Sequence, residues 1–350
     1  MTAIVVAWAM LALGFTMVTV RALGRRPQAT VATGTPSILL LRPADAPTSL
    51  ECACLAVPLS YAGVVEHVVL SPTPPVLPAG VRWVCSDPVT ANRKVGHLLH
   101  GLAVVPPAGR VVVVIDADVV VDGALLSALA GPLADGAALV SAAPAPQPAA
   151  GLVPAAVRAL LRHTHLSFDA LDAMTVGAHA ICGKAMALSP AAVDGLTAVA
   201  DHLGEDLELA KWLHERGLAV ALAGVAARVP QTPHAPIAPA VDRFTRWMQV
   251  LRAHRPGLYP TVPLLFTPSL PLLIAAVMLD TPAALAAVAA LWAGRTLLAW
   301  RLAPLGALSW PLGEALLLAA FVRSLARRTV VWRGRRFRLA RDGRMQPVAS

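Results

Sequence analysis

The sequence predicts an α/β domain built on a mostly parallel sheet, with transmembrane helices at both ends of the chain. Three observations predict it. Short apolar runs alternate with helical pieces through the first two thirds of the 350 residues, a βαβ rhythm that implies parallel strands. Val111–Ile115 is five β-branched residues in a row, which suits a strand buried on both faces. Hydrophobic residues make up 57% and charged residues 14%, well under the roughly 25% charged residues of a soluble domain, so part of the chain belongs in a bilayer.

Each element follows in order. Ala3–Val20 is apolar, about the length that spans a bilayer, and is followed by Arg21, Arg25 and Arg26. A signal peptide carries its positive charge ahead of the apolar run. Here the charge comes after it, so residues 1–22 read as a transmembrane helix that leaves the following domain in the cytoplasm. A Pro/Thr/Gly linker covers Pro27–Pro36. Strands are predicted at Ser37–Leu41, Glu66–Leu70, Val81–Cys85, Val111–Ile115 and Ala137–Ser141, and helices at Ser49–Val57, Thr90–Leu102 and Asp122–Ala130. Pro144–Pro154 reads as a loop, Ala155–Met174 as a helix, and Ser189-Pro190 as a helix start. Gly204–Arg216 is a helix closed by Gly217, and Leu218–Ala223 and Val225–Val229 are strands. The soluble domain is thus bounded at about 36–233.

Residues 240–257 form a basic amphipathic stretch that suits a helix in the membrane interface. Residues 261–323 hold three apolar segments, Val262–Leu279, Pro282–Leu298 and Ala303–Val322. Arg295 and Arg301 interrupt the second, and Pro311 and Glu314 the third. The arginine-rich tail, 324–350, belongs with the cytoplasmic domain. That parity needs an even number of crossings after the domain, so two segments span and one is re-entrant or interfacial.

The net charge is +9, and lysine occurs only at Lys94, Lys184 and Lys211. The basic excess suits anionic headgroups or a nucleotide diphosphate. No basic helix or zinc pattern points to nucleic acid. Cys52, Cys54, Cys85 and Cys182 lack metal-finger spacing and read as reduced, small apolar residues.

Three strings carry chemistry. Asp116-Ala117-Asp118 follows the Val111–Ile115 strand, and ligands of such sheets bind beyond the carboxyl ends of the strands. Two carboxylates there can hold Mg²⁺ or Mn²⁺ on a diphosphate, although Asp-x-Asp alone also suits a solvated turn. Glu205-Asp206 opens a helix. The pair is favourable to the helix dipole, and it also supplies a general base: Asp206, with Glu205 beside it. Arg243 and Arg246 share a helix face and suit a diphosphate, or basic snorkelling at the bilayer surface, with Trp247 packed at the site or anchored at the interface.

In their order, these strings resemble a family. Leu41-Arg42-Pro43, Asn92-Arg93-Lys94-Val95, Asp116-Ala117-Asp118, Gly183-Lys184-Ala185-Met186, the run Glu205 to Lys211 with Arg216-Gly217, Arg243 to Trp247, and the tail Val331 to Leu339 together are similar to the ceramide glucosyltransferase-like membrane glycosyltransferases (inverting, family 2/21 type). The similarity extends over nearly the whole chain after the first span. The resemblance implies a GT-A fold, a nucleotide-sugar donor such as a UDP-hexose, a lipid acceptor such as ceramide, diacylglycerol or a hopanoid, a divalent cation, and inversion at the anomeric carbon. It implies donor-binding roles for Asp116, Asp118, Lys94 and Gly183, metal ligation by Asp118 and Asp116, catalytic roles for Asp206, Glu205, Arg243, Arg246 and Trp247, and an acceptor role for His165. It implies an integral protein of a bacterial inner membrane. One departure stands out. The family places an aspartate that contacts uridine after the second strand, and here that strand runs into Ser71-Pro72-Thr73. Ser71 or Thr73 would offer a weaker hydrogen bond. Two rival readings follow, a polyprenyl-phosphate acceptor and an inactive membrane scaffold.

Overall fold

The computed structural model describes residues 1–24, 34–175, 181–327, 329–332 and 334–348. Arg25, Arg26, most of the Pro27–Pro36 linker and Gly177 lie outside the described residues.

The helices are α1 (Thr2–Gly24), α2 (Ser49–Leu55), α3 (Arg93–Val104), α4 (Gly123–Ala134), α5 (Leu152–Thr175), α6 (Pro190–Gly195), α7 (Glu205–His214), α8 (Ile237–His254), α9 (Ser269–Leu279), α10 (Pro282–Leu302) and α11 (Trp310–Ala326). The strands are β1 (Ile38–Pro43), β2 (Val65–Ser71), β3 (Val81–Cys85), β4 (Val111–Ile115), β5 (Leu139–Ser141), β6 (Pro144–Pro146), β7 (Ala185–Leu188), β8 (Val220–Leu222), β9 (Ala227–Val229), β10 (Thr329–Trp332), β11 (Arg335–Leu339) and β12 (Met345–Pro347). Two compact units result, one of residues 27–145, 177–230 and 337–350, the other of 1–26, 146–176 and 231–336.

The first unit is α/β. Its seven-stranded sheet has the order β3-β2-β1-β4-β7-β5-β8. Strands β3, β2, β1 and β4 run parallel, with Leu41 opposite Val68 on one side and Val114 on the other. Strand β7 runs antiparallel to both neighbours, and β5 and β8 are parallel. The uninterrupted apolar runs are explained by burial on both faces. Leu39, Leu41, Val112 and Val114 pack on the side of α3, α6 and α7, while Ile38, Leu40, Val113 and Ile115 pack on the side of α4. Helix starts are written locally. Thr48 and Glu51 form a reciprocal cap on α2, and Asn92, Asp122 and Ser189 cap α3, α4 and α6. Gly217 closes the turn after α7 at φ +68°, a left-handed conformation that favours glycine.

The stretch expected to be a loop, Pro144–Pro154, instead contributes strand β6, paired with β9, and the first turn of α5. The arginine-rich tail is not featureless: Phe337–Leu339 pairs antiparallel with Met345–Pro347. The four cysteines are free thiols, with Cys54 and Cys182 buried and Cys85 exposed.

The second unit is helical. Among the described residues, three helical segments are long and apolar enough to cross a membrane: Thr2–Leu23, Pro282–Leu302 and Ala307–Ala326. Helix α1 packs on α10, where a Cβ on Gly294 would lie 2.7 Å from Leu13 Cδ1; small residues permit such close approach between membrane helices. Two expectations are corrected. Val262–Leu279 is not one continuous segment: a π-helical turn at Val262–Phe266 precedes the 11-residue α9. That helix covers only about 16 Å at 1.5 Å per residue, short of a hydrocarbon core of ~30 Å. Arg295 does not interrupt α10, because its guanidinium is paired inside the unit with Glu314 of α11. Pro311 sits in the first turn of α11, where its missing N–H costs no hydrogen bond.

Candidate active site

At the carboxyl ends of β1 and β4 the α/β unit gathers charge. The turn after β4 carries Asp116 and Asp118, and it is held from below by Arg42 at the end of β1. Arg42 is 1% exposed, and its guanidinium donates to the carbonyls of Asp116, Ala117, Val119 and Cys54 at 2.6–3.2 Å. Burial lowers its pKa to about 10, so it stays charged. A cation beneath the turn fixes the backbone from which both carboxylates project.

Lys94 comes from the first turn of α3, positioned by the Asn92 cap. Its ammonium lies 2.9 Å from Asp116 Oδ1 and 3.0 Å from Glu205 Oε1, and donates to the Gly183 carbonyl at 2.6 Å. Burial alone would lower the pKa of Lys94, but the carboxylates of Asp116 and Glu205 outweigh it and raise it. The Asp116 carboxyl is pushed up by burial and pulled down further by Lys94 and Lys184, ending below the usual range. Asn92 Nδ2 donates to Glu205 Oε2 at 3.2 Å and to the His202 carbonyl at 2.8 Å, tying the start of α7 to the start of α3.

Asp206 faces Gly183. Its Oδ2 accepts from the Gly183 amide at 2.7 Å and its Oδ1 from the Leu207 amide at 2.8 Å. Burial and then the neighbouring Glu205 carboxylate push the Asp206 pKa up to about 6, against the pull of Lys94 and the two amides. Gly183 is required by close approach. A Cβ there would stand 3.0 Å from Lys94 Nζ, 3.1 Å from Glu205 Oε1 and 3.2 Å from Asp206 Oδ2.

Lys184 was part of a recognised string but was not among the expected site residues. It holds Asp118 through both carboxylate oxygens, at 2.7 and 2.6 Å, and lies 3.2 Å from Asp116 Oδ2. Arg42 and Asn92 were also absent from the expected site. An arginine inside the apolar run Ile38–Pro43 was the available signal for Arg42, since a charge there must be paired.

The donor set suits a hard divalent cation. Asp116, Asp118, Glu205 and Asp206 stand against Lys94, Lys184 and, beneath the turn, Arg42, which leaves the cluster net negative, and the oxygens of Asp118 and Asp116 are the hard ligands that Mg²⁺ and Mn²⁺ take. Among the described residues no three His, Cys, Asp or Glu side chains are placed to hold one metal ion together, so an ion on Asp116 and Asp118 would complete its shell with phosphate and water.

The structure brings together six of the expected residues: Asp116, Asp118, Lys94, Gly183, Glu205 and Asp206. Arg243, Arg246, Trp247 and His165 belong to the helical unit. Arg243 and Trp247 lie on one face of α8, with the Arg243 guanidinium 5.8 Å from the Trp247 ring centroid and Trp247 edge-on to Phe244. His165 is a half-buried residue of α5. Ser71, at the end of β2, is fully buried. Its hydroxyl accepts from the Trp83 indole at 3.0 Å and donates to the Thr73 carbonyl at 2.6 Å, so it is engaged inside the protein and is not presented to a base.

A mostly parallel α/β sheet of this order, with paired carboxylates beyond β4, is an architecture of GT-A type. Residues 78–345 match the profile of glycosyl transferase family 21, and the chain belongs to that family. It is similar in fold to the mannosyltransferase PcManGT from Pyrobaculum calidifontis in complex with GDP-Man and Mn²⁺, at 17% identity and TM-score 0.50, over 93% of this chain and 99% of that one. A crystal structure of a mycobacterial protein aligns at 18% identity and TM-score 0.38, over 65% of this chain and 79% of that one. No curated protein matches the chain.

Proposed function

We propose that this glycosyltransferase is membrane-bound and inverting, moving a hexose from a nucleotide sugar to the hydroxyl of a lipid such as ceramide, diacylglycerol or a hopanoid. The observation that carries the reading is Lys94, whose single ammonium joins the Asp116 carboxylate to Glu205, next to Asp206. That bridge sets the proposed donor-diphosphate and proton-abstraction groups side by side.

In this reading Asp206 accepts the proton of the acceptor hydroxyl as its oxygen attacks the anomeric carbon. The new C–O bond forms on the face opposite the breaking bond to the diphosphate, so configuration inverts. An Asp206 pKa of about 6 leaves the base mostly ionised at pH 7 while keeping it basic enough to take a proton. Asp118 and Asp116 would hold Mg²⁺ or Mn²⁺, which supplies charge stabilisation to the diphosphate. Lys94 and Lys184 keep the carboxylates oriented, and Gly183, lacking a side chain, lets Lys94, Glu205 and Asp206 close over it. Arg243 and Arg246 would neutralise the departing diphosphate, with Trp247 supporting them and His165 on the acceptor side; these four assignments rest on the motif order.

The membrane topology in this reading has three spans, α1, α10 and α11, with α9 and its preceding π turn re-entrant or interfacial. Two crossings after the domain return the arginine-rich tail to its side, which the arginines place in the cytoplasm of a bacterial inner membrane. Helix α8 lies at the interface.

The buried, internally bonded Ser71 favours a donor whose base is not read by an acid after β2. The GDP-Man complex of the archaeal mannosyltransferase adds GDP-mannose to the candidates. The same observation is the one that favours an inactive scaffold. Membranes containing the protein, incubated with labelled UDP-glucose, UDP-galactose and GDP-mannose, should give a labelled lipid with one donor. Absence of any labelled lipid with intact protein and added Mn²⁺ would support the scaffold.

A further inference from the structure

None of the roles above absorbs the arginine-rich tail. Residues 327–344 hold eight arginines and one aspartate, +7 of the chain's +9. A run of like charge is ordinarily a solvated one, but this one is folded. Phe337–Leu339 of β11 pairs with Met345–Pro347 of β12, and Phe337 and Met345 are each 4% exposed. Side chains alternate along a strand, so Arg336 and Arg338, on either side of Phe337, share the opposite face. Both are exposed, as are Arg335 and Arg341. The one acid of the tail, Asp342, pairs with Arg344 at 3.4 Å, which leaves four exposed guanidiniums with no tail carboxylate to balance them.

The hairpin is fastened to the candidate active site through its backbone. The Met345 amide donates to the Asp201 carbonyl at 2.8 Å and the Leu203 amide to the Gly343 carbonyl at 3.2 Å, an antiparallel bridge centred on His202 and Arg344. Residues 201–204 lead directly into α7, which opens with Glu205 and Asp206. The same segment is tied to the start of α3. Asp201 Oδ1 accepts from the Ala91 amide at 3.3 Å, and the His202 carbonyl accepts from Asn92 Nδ2, which also reaches Glu205. The tail therefore clamps the segment that sets the acidic pair against Lys94.

Charge and tether decide what covers the outer face. Like charges on one strand face repel, and an anionic surface relieves them. Guanidinium forks take phosphate oxygens in pairs. Only residues 327–334 separate α11 from β11, under about 30 Å of extended chain. In the membrane reading the hairpin is thus held within reach of the leaflet on its own side. Each arginine near an anionic bilayer surface adds roughly fivefold to the partition. The tether favours lipid over nucleic acid, because it keeps the hairpin at a high effective concentration of headgroups.

We propose that the outer face of the β11–β12 hairpin, Arg336 and Arg338 with Arg335 and Arg341 beside them, binds the phosphate headgroups of anionic bilayer lipids, and that this contact steadies residues 201–206 and so couples sugar transfer to membrane composition. The binding rests on the membrane reading given above, and the coupling on the transferase reading.

The test places the full chain in nanodiscs of phosphatidylcholine, alone or mixed with phosphatidylglycerol, and follows amide hydrogen exchange by mass spectrometry. Phosphatidylglycerol should slow exchange of residues 337–347 and 201–206 by about fivefold or more, and sugar transfer in the same nanodiscs should rise with it. High salt should erase the protection, since it screens exposed charges. Soluble glycerol phosphate should give none. The triple variant Arg336→Gln, Arg338→Gln, Arg341→Gln should lose both responses, and Arg338→Lys, which keeps the charge, should retain them. Equal exchange of 337–347 in the two membranes overturns the proposal, and so does stronger protection by an added RNA duplex than by phosphatidylglycerol. Protection of 337–347 with no change at 201–206 overturns the coupling, as does transfer at equal rates in both membranes. The exchange comparison uses the wild-type chain, so it stands where a variant fails to fold, and it needs no turnover. Protection of both segments without sugar transfer from any donor counts against the transferase reading and leaves the lipid contact standing.

Discussion

Replacing Lys184 with methionine should tighten, not weaken, binding of a divalent cation. In the structure the Lys184 ammonium contacts both oxygens of Asp118 at 2.7 and 2.6 Å and Asp116 at 3.2 Å. An ion taking those oxygens must displace the ammonium or share the carboxylates with it. Hydrogen bonds to charged groups contribute about 1.5–3 kcal/mol. Lys184 and Asp118 are 18% and 25% exposed, so solvent screens part of that and the lower end, about 1.5–2 kcal/mol, is the better figure. Removing the ammonium should therefore lower the Kd for Mn²⁺ by about 10- to 30-fold. The measurement is the decline of the free Mn²⁺ paramagnetic resonance signal on titrating detergent-solubilised full chain, without donor. Lys184→Arg keeps the charge and should stay near wild type, and Asp118→Ala should abolish the gain in the Lys184→Met background. An unchanged or weaker Mn²⁺ affinity in Lys184→Met would refute the idea that this lysine and the cation compete for one set of oxygens.

Asp206→Asn should reduce sugar transfer by roughly 10²–10⁴-fold, the usual contribution of a general base, while donor binding by calorimetry stays near wild type; near-normal turnover would remove Asp206 from the reaction. In the wild type, kcat/KM should rise with pH through about 6 and level off above it, because the ionised carboxylate is the active form; a profile flat between pH 5 and 7 counts against the assignment. The same raised pKa means the folded protein holds a proton that the unfolded chain releases between about 4 and 6, so Asp206 lowers stability as pH rises through that window. Thermal unfolding of Asp206→Asn should lose that part of the pH dependence. Gly183→Ala should impair donor binding and raise KM, since its Cβ would press on Lys94, Glu205 and Asp206; a donor affinity equal to wild type would show that the cluster relaxes freely. Arg42→Met should destabilise the α/β unit by about 3 kcal/mol or more, because it strands the carbonyls beneath the Asp116–Asp118 turn; a melting temperature within a degree of wild type would contradict the role given to that cation.

Much of the α/β unit was readable from local signals. Strand β4 lies where its apolar run begins and ends, because a strand buried on both faces has no polar side to blur its limits. The caps at Thr48, Asn92, Asp122 and Ser189 are local hydrogen bonds between residues three apart, so the chain writes them without tertiary help. Strand β6 escaped notice because a Pro-Ala-Pro segment gains its pairing only from β9, more than eighty residues away. The acidic pairs were visible as pairs, and their order along the chain identified the family.

The chain by itself determined most of the strands and the acidic strings, since burial period and capping act over a few residues, but not β7, whose antiparallel place between β4 and β5 is set by partners far along the chain. Tertiary structure alone decided how the charges are matched. Lys94 meets Asp116 and Glu205, Lys184 meets Asp118, and Arg42 supports the turn, through contacts between residues 22 to 111 positions apart whose strength depends on ångström-scale distance and on burial. It also decided that Arg295 continues a helix rather than breaking it, because the cost of its charge is set by Glu314, which only the folding of α11 against α10 brings within reach.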